Sequence, residues 1–301
     1  MLPFMGIRNA SLLVLLGAIW GGSFVLIRLA APDMGVIAMT SARVFMSALV
    51  MAAIVYARNG YGLLFRHARH VFILGLLNTA VPFCLMSWAT VELNVNVASI
   101  LNATVPVWAM LIGIFWIKTK PDALRLLGVI VALAGVVVLV SGKPGFVFSA
   151  AFLPTASALA STFLYALSSH YTHRYLPGVD PVILTAGSLM AAAAALFPLG
   201  WFFWPDHDVA TLSWLCVIAL ALVATVFAYF IYFRVLHAAG PERAVLVTYL
   251  IPVFAGIWGY LFLGQYITAQ MALGGLVVIA GTGLASGLFS LGAFKTKGCA
   301  A

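Results

Sequence analysis

Ten apolar runs of about 20 residues follow one another along this chain, at about 9–29, 34–57, 68–91, 95–117, 122–141, 150–171, 179–203, 210–236, 243–264 and 267–289. A helix of that length crosses a hydrocarbon core of roughly 30 Å. Inside a bilayer every backbone N–H and C=O must find a partner within the protein, so runs of this kind are helices. Only 7% of the residues are charged and 64% are hydrophobic, where soluble domains carry about 25% charged residues. The gaps between runs are short and leave no room for a soluble domain. The expected fold class is an all-α membrane protein with ten transmembrane helices. The first run is too long for a cleaved signal peptide, and nine more follow it.

A repeat organises these runs. Residues 98–141 align without a gap onto 244–287, at an offset of 146, with 11 identities in 44 positions. Several identities arise by chance in so apolar a chain. The shared proline, Pro106 with Pro252, and the shared glycines, Gly113 with Gly259, Gly128 with Gly274 and Gly135 with Gly281, fix backbone geometry and are harder to dismiss. A unit of five helices has an odd number of crossings, so its two copies have opposite orientation. Inverted repeats of this kind belong to secondary transporters, whose solute site lies near mid-membrane between the copies. The expected halves are residues 1–145 and 146–301, with the natural break at Lys143, Pro144 and Gly145. Elsewhere the repeat is faint, although Thr79 meets Thr225 at the same offset.

The formal charge of +8 reads as topology rather than as nucleic-acid binding. With a cytoplasmic N-terminus, cytoplasmic loops and tails hold 12 basic residues (Arg8, Arg58, Arg66, Arg69, Lys118, Lys120, Arg125, Arg174, Arg234, Arg243, Lys295, Lys297). The outer side keeps Arg28 and Lys143. That bias places both termini in the cytoplasm and the chain in the inner membrane. Cys84, Cys216 and Cys299 are isolated, with no metal-ligand or redox spacing, and read as packing residues. No cofactor or metal is expected.

The run 228–240, then Glu242-Arg243-Ala244, Tyr249-Leu250-Ile251-Pro252-Val253, Leu261-Phe262-Leu263-Gly264 and 274–283 resemble the drug/metabolite transporter superfamily, EamA type. The first half repeats the theme in Ala98-Ser99-Ile100-Leu101, Val105-Pro106-Val107 and 128–135. Ile19-Trp20-Gly21-Gly22-Ser23-Phe24 resembles the family's first helix, and Ser41-Ala42-Arg43 its second. The resemblance covers about 12–288 and implies ten helices in two inverted five-helix repeats, both termini inside. Within the family, the chain looks most similar to bacterial amino-acid exporters, aromatic ones included. It departs from the family at Gln265, where a Glu often follows Leu-Gly, so a proton-coupling carboxylate does not carry over.

Candidate solute contacts are polar or aromatic residues inside spans. Ser99, Asn102, Pro106, Ala109 and Gly113 share one face of the fourth helix, and their mates Val245, Thr248, Pro252, Ala255 and Gly259 share one face of the ninth. Pro106 and Pro252 are expected to kink these helices and free the carbonyls of Asn102 and Thr248 for a solute ammonium; the alternative is close helix packing by small residues. Asn78 and Pro82 lie one turn apart in the third helix. Trp20, Trp108, Tyr165, Phe227, Tyr229, Tyr249 and Trp258 are aromatics within spans, whereas Trp201, Trp204 and Trp214 sit near span ends as interface anchors.

Arg43 is the one charge well inside a span. It either holds a solute carboxylate or bonds backbone carbonyls at helix ends, and the resemblance implies the structural role. The six histidines fall at or beyond span ends and read as solvated. No carboxylate sits mid-span; Glu92 and Glu242 flank the fourth and ninth helices. That absence favours facilitated transport or exchange over obligatory ion coupling.

The reading is therefore a transporter of small organic solutes, an exporter of amino acids or similar amphipathic metabolites, working by alternating access. Sugar-phosphate or nucleotide-sugar exchange would need two or more buried cations. An intramembrane enzyme would need a reactive constellation, and none is visible. A passive channel would show flux that never saturates.

Overall fold

The structure, a computed structural model, describes residues 6–141 and 148–287. Among these residues, nine helices are long and apolar enough to cross a membrane, and a tenth apolar helix has 17 residues. In chain order they are α1 (Ile7–Met34), α2 (Val36–Ala57), α3 (Ala68–Glu92), α4 (Val95–Trp116), α5 (Ala123–Ser141), α6 (Phe148–Tyr175), α7 (Pro181–Phe202), α8 (Thr211–Ala239), α9 (Val247–Leu263) and α10 (Ala269–Ser286). Most ends agree with the apolar runs to within a few residues. Two differ. α1 continues through Pro32 to Met34. α9 starts late, because Gly240 (φ 84°) and Pro241 end α8 and the short helix Pro241–Ala244 stands apart. Lys143, Pro144, Gly145, Lys295, Lys297 and Cys299 lie outside the described residues, as does the Glu242 side chain.

The repeat is written into the backbone. α3 widens into a π turn over Leu76–Ala80 and α8 into one over Leu222–Phe227, starting 146 residues apart. α4 and α9 lead into a left-handed residue, Lys118 (φ 63°) and Gly264 (φ 61°), again 146 apart. The Thr119 amide donates to the Gly113 carbonyl at 3.2 Å, and the Gln265 amide donates to the Gly259 carbonyl at 3.0 Å. Glycine takes the left-handed conformation freely; Lys118 takes it at a cost of about 1 kcal/mol.

Helix packing follows the same relation. α1 packs on α8 and α9, while α6 packs on α3 and α4; α2 pairs with α7 and α5 with α10. The first helix of each half thus lies against the third and fourth helices of the other half. The shared glycines of α5 and α10 explain their closest approach. A Cβ on Gly128 would collide with the Ala285 nitrogen, and one on Gly281 with the Ala132 nitrogen. On Gly135 it would stand 2.6 Å from the Val278 nitrogen, and on Gly274 2.7 Å from the Leu139 nitrogen. Without a hydrophobic drive between helices in lipid, such backbone-to-backbone contact is what holds them together.

α4 and α9 differ in one respect. α4 is interrupted at Ala103 and Thr104, three and two residues before Pro106, and resumes as Val105–Ile112. α9 is continuous through Pro252. The first part of α4, Val95–Asn102, packs on α9, whereas Val105–Ile112 packs on α6 and α10. The bundle is closed where α4 begins and α9 ends, and α4 diverges from α9 toward the other face.

Candidate functional site

Polar groups collect beside the two π turns. An i→i+5 turn shifts the register of a helix and is frequent at functional sites. In α8 the Thr225 hydroxyl donates to the Leu220 carbonyl, five residues back, at 2.8 Å. It also accepts a 3.1 Å hydrogen bond from Arg43 Nε, so α2 is fixed to α8 at this point. The guanidinium lies over the Phe83 ring, 4.4 Å from its centre, in a cation–π contact. Tyr165 of α6 and Tyr229 of α8 are close enough to interact with that charge.

The cluster continues toward α1. Tyr229 meets the Asn78 amide across from α3. Asn78 Oδ1 accepts from the Ser168 hydroxyl at 3.0 Å. The Trp20 ring lies 6.4 Å from Tyr229 and 5.8 Å from Tyr232, and its Nε1 donates to the Ala224 carbonyl at 3.2 Å. Trp20, Asn78, Tyr165, Tyr229 and Tyr232 are half-buried although helices surround them. They cluster between α1, α3, α6 and α8, where aromatic rings, one amide, hydroxyls and one cation come together.

The comparisons with known proteins bear on this arrangement. Residues 8–141 and 154–287 each match the EamA-like transporter family. The chain belongs to the EamA-like transporter family. It is a multi-pass membrane transporter of small solutes, not an enzyme. An uncharacterized transporter of Archaeoglobus fulgidus is 23% identical over 87% of this chain and 92% of its own. A second from the same organism is 25% identical over 92% and 96%. Protein PecM of Dickeya dadantii is 26% identical over 68% and 69%. One solved crystal structure superposes with a TM-score of 0.67 at 18% identity, covering 93% of this chain and 97% of that one, which establishes the shared fold.

Of the residues singled out in the sequence, Trp20, Arg43, Asn78, Tyr165 and Tyr229 meet at this cluster. Pro82 is adjacent: its carbonyl accepts from the Ser161 hydroxyl at 2.9 Å, one turn from Tyr165. The others lie elsewhere. Trp108 Nε1 donates to Thr162 Oγ1 at 3.1 Å and holds α4 on α6. Trp258 Nε1 donates to the Ala18 carbonyl at 3.1 Å and holds α9 on α1. Tyr249 reaches Ser286 of α10 at 3.4 Å. Ser99 and Thr248 turn their hydroxyls back to Asn96 and Val245 of their own helices. Asn102 is half-buried and makes no side-chain hydrogen bond among the described residues. Of the small-residue stripe on α9, Pro252, Ala255 and Gly259 are buried against neighbouring helices. Gly259 faces Val95 and Asn96 of α4, and Ala255 faces Gly21 of α1. In this conformation that part of the stripe is a packing surface.

Two sequence expectations need correction. Arg43 bonds a side-chain hydroxyl and an aromatic face, not the backbone carbonyls expected of a purely structural arginine. His70 is not simply solvated: it bonds the Tyr171 hydroxyl at 2.7 Å and stacks on Tyr175. His207 meets Asp33 at 3.2 Å and remains exposed, as expected of a solvated histidine. Phe83, Thr225 and Tyr232 were missed; only the Thr79–Thr225 correspondence hinted at this level of the bundle. A peripheral cleft of about 180 Å³, lined by Phe45, Phe197, Trp201 and Trp204, lies away from the cluster. Its Ser41 hydroxyl is already bonded to the Leu196 carbonyl, and its aromatics suit the membrane interface.

Proposed function

We propose that this chain exports amino acids or similar amphipathic metabolites across the inner membrane by alternating access, with both termini in the cytoplasm. The observation that carries the reading is the composition of the side-chain cluster between α1, α3, α6 and α8. Aromatic walls with few polar groups suit a solute that is apolar over most of its surface and polar at one end. A lone cation is too little charge for a sugar phosphate. Because α1 and α6 are exchanged between the halves 1–145 and 146–301, the moving units are α1 with α8 and α9, and α6 with α3 and α4. The closed end at α4 and α9 is the outer one, so this conformation opens toward the cytoplasm.

The test is flux of a labelled amino-acid panel into liposomes holding the purified protein. The expected result is saturable flux and exchange of one or more apolar amino acids, with no requirement for a proton gradient. Movement of sugar phosphates but not amino acids would overturn the reading. The topology is checked separately by reporter fusions after Ala301 and within 143–145: a cytoplasmic signal is expected from the first and an external one from the second.

A further inference from the structure

We propose that Arg43 is the carboxylate anchor of the transport site, so that the solute is a carboxylate monoanion or a zwitterion with an apolar body. The assignment rests on the reading of the α1–α3–α6–α8 cluster as the solute site, and it names the group that the solute must carry. Arg43 is 7% exposed. Its guanidinium is satisfied on one side only. Nε donates to Thr225, and the flat face rests on Phe83. Its two terminal nitrogens make no hydrogen bond among the described residues, yet they are not among the buried polar atoms sealed without a partner. They therefore keep accessible surface, beside Tyr165 and Tyr229. No acidic side chain pairs with it among the described residues. A buried charge without a counterion is costly. An arginine left with its fork open is suited to an anion that comes and goes, because two parallel N–H groups match a carboxylate.

The internal symmetry separates this role from simple helix packing. Thr225 has the mate Thr79, and the contact of α3 with α7 is made there by the Thr79 and Ser188 hydroxyls at 3.1 Å. The position 146 residues after Arg43 is Leu189. Two hydroxyls thus suffice to join the equivalent helices in one half. The arginine in the other half does something that the packing does not require. With the carboxylate at Arg43, an α-ammonium falls toward Asn78 Oδ1 and the Tyr229 ring, while the apolar body has Trp20 and Tyr232 to lie on.

The test uses the full chain in liposomes with L-phenylalanine and its carboxyl amide as probes, and the variants Arg43→Lys and Arg43→Gln. In parallel, melting temperatures are measured with phenylacetate and with phenylacetamide. The ratio of acid to amide flux should fall at least about tenfold in R43Q and less in R43K, which keeps the charge but loses the fork. Phenylacetate, and not phenylacetamide, should raise the melting temperature of the wild type and lose that effect in the variants. An acid-to-amide ratio equal to wild type in both variants would overturn the anchor; if R43Q fails to fold, the R43K ratio decides. If the wild type moves no amino acid, the export reading fails. The anchor then survives only if phenylacetate still stabilises the wild type through Arg43, and it falls if no carboxylate does.

Discussion

Cysteines placed together at Val95 and Gly259 are expected to cross-link and stop transport completely, with activity returning on reduction. The start of α4 and the end of α9 meet at this pair. A Cβ built on Gly259 lies 3.8 Å from the Val95 Cβ, which is the separation typical of a disulfide, about 3.8 Å. The same end is held by a hydrogen bond from the Val95 amide to Gln265 Oε1 at 3.1 Å. Alternating access requires this end to open once per cycle. A covalent bond across it leaves the other face open and removes the cycle. The measurement is liposome flux of V95C/G259C before and after dithiothreitol, against each single variant. A formed disulfide with undiminished flux would falsify the assignment of this contact as a gate.

On the alternating-access reading this closed contact has to come apart. Both amide atoms of Asn96 are buried with no hydrogen-bond partner among the described residues, beside Gly256 and Gly259. Each unsatisfied buried group costs about 1–3 kcal/mol. Opening lets water reach Asn96 and recovers that energy, which offsets the loss of apolar contact between the helices. Gln265 contributes to the same balance. A neutral amide accepts from Val95 without changing charge over physiological pH, so this hydrogen bond carries no proton dependence of its own.

The sequence revealed the framework because its signals are local. Hydropathy marks the ten helices, and the glycines and proline of the repeat mark positions where two backbones touch or a hydrogen bond is lost. Gly128, Gly135, Gly274 and Gly281 proved to be the α5–α10 contact itself. The π turns were not legible. Leu76–Ala80 and Leu222–Phe227 share only a leucine and a threonine in register, and no residue type specifies i→i+5 bonding. Polar or aromatic side chains out of place in lipid drew attention to Trp20, Asn78 and Tyr165, and the fold brings these together. Trp108 and Trp258 stand apart from them, bonded to Thr162 and Ala18, which lie 54 and 240 residues away. Which face of α4 or α9 turns inward depends on the exchange of α1 and α6 between the halves, and that exchange leaves no trace in either helix's own sequence. Arg43 was visible as an anomaly, but its open side emerged only from the contacts around it.

Gly281→Ala is expected to destabilise the protein severely, although it adds a single methyl group. The new Cβ would collide with the Ala132 nitrogen and lie 2.7 Å from the Ala132 Cα and 2.8 Å from the Gly128 carbonyl oxygen. All of these are backbone atoms of the facing helix, so no side chain can rotate away and α5 must separate from α10. Overpacking of this kind costs roughly 1–3 kcal/mol, and backbone contacts fall at the upper end. The internal two-fold relation adds a second condition. Gly135, the repeat mate of Gly281, would place its Cβ 2.6 Å from the Val278 nitrogen, so Gly135→Ala should lower the melting temperature in detergent by a similar amount. At Gly62, in the short helix Tyr61–Arg66, an added methyl group would meet nothing within 4 Å. There the same substitution removes glycine's conformational freedom and should stabilise by up to about 1 kcal/mol. Equal and large losses at positions 135 and 281, with none at 62, are what close α5–α10 packing requires; a tolerated alanine at either of the first two would mean that these helices do not touch as described.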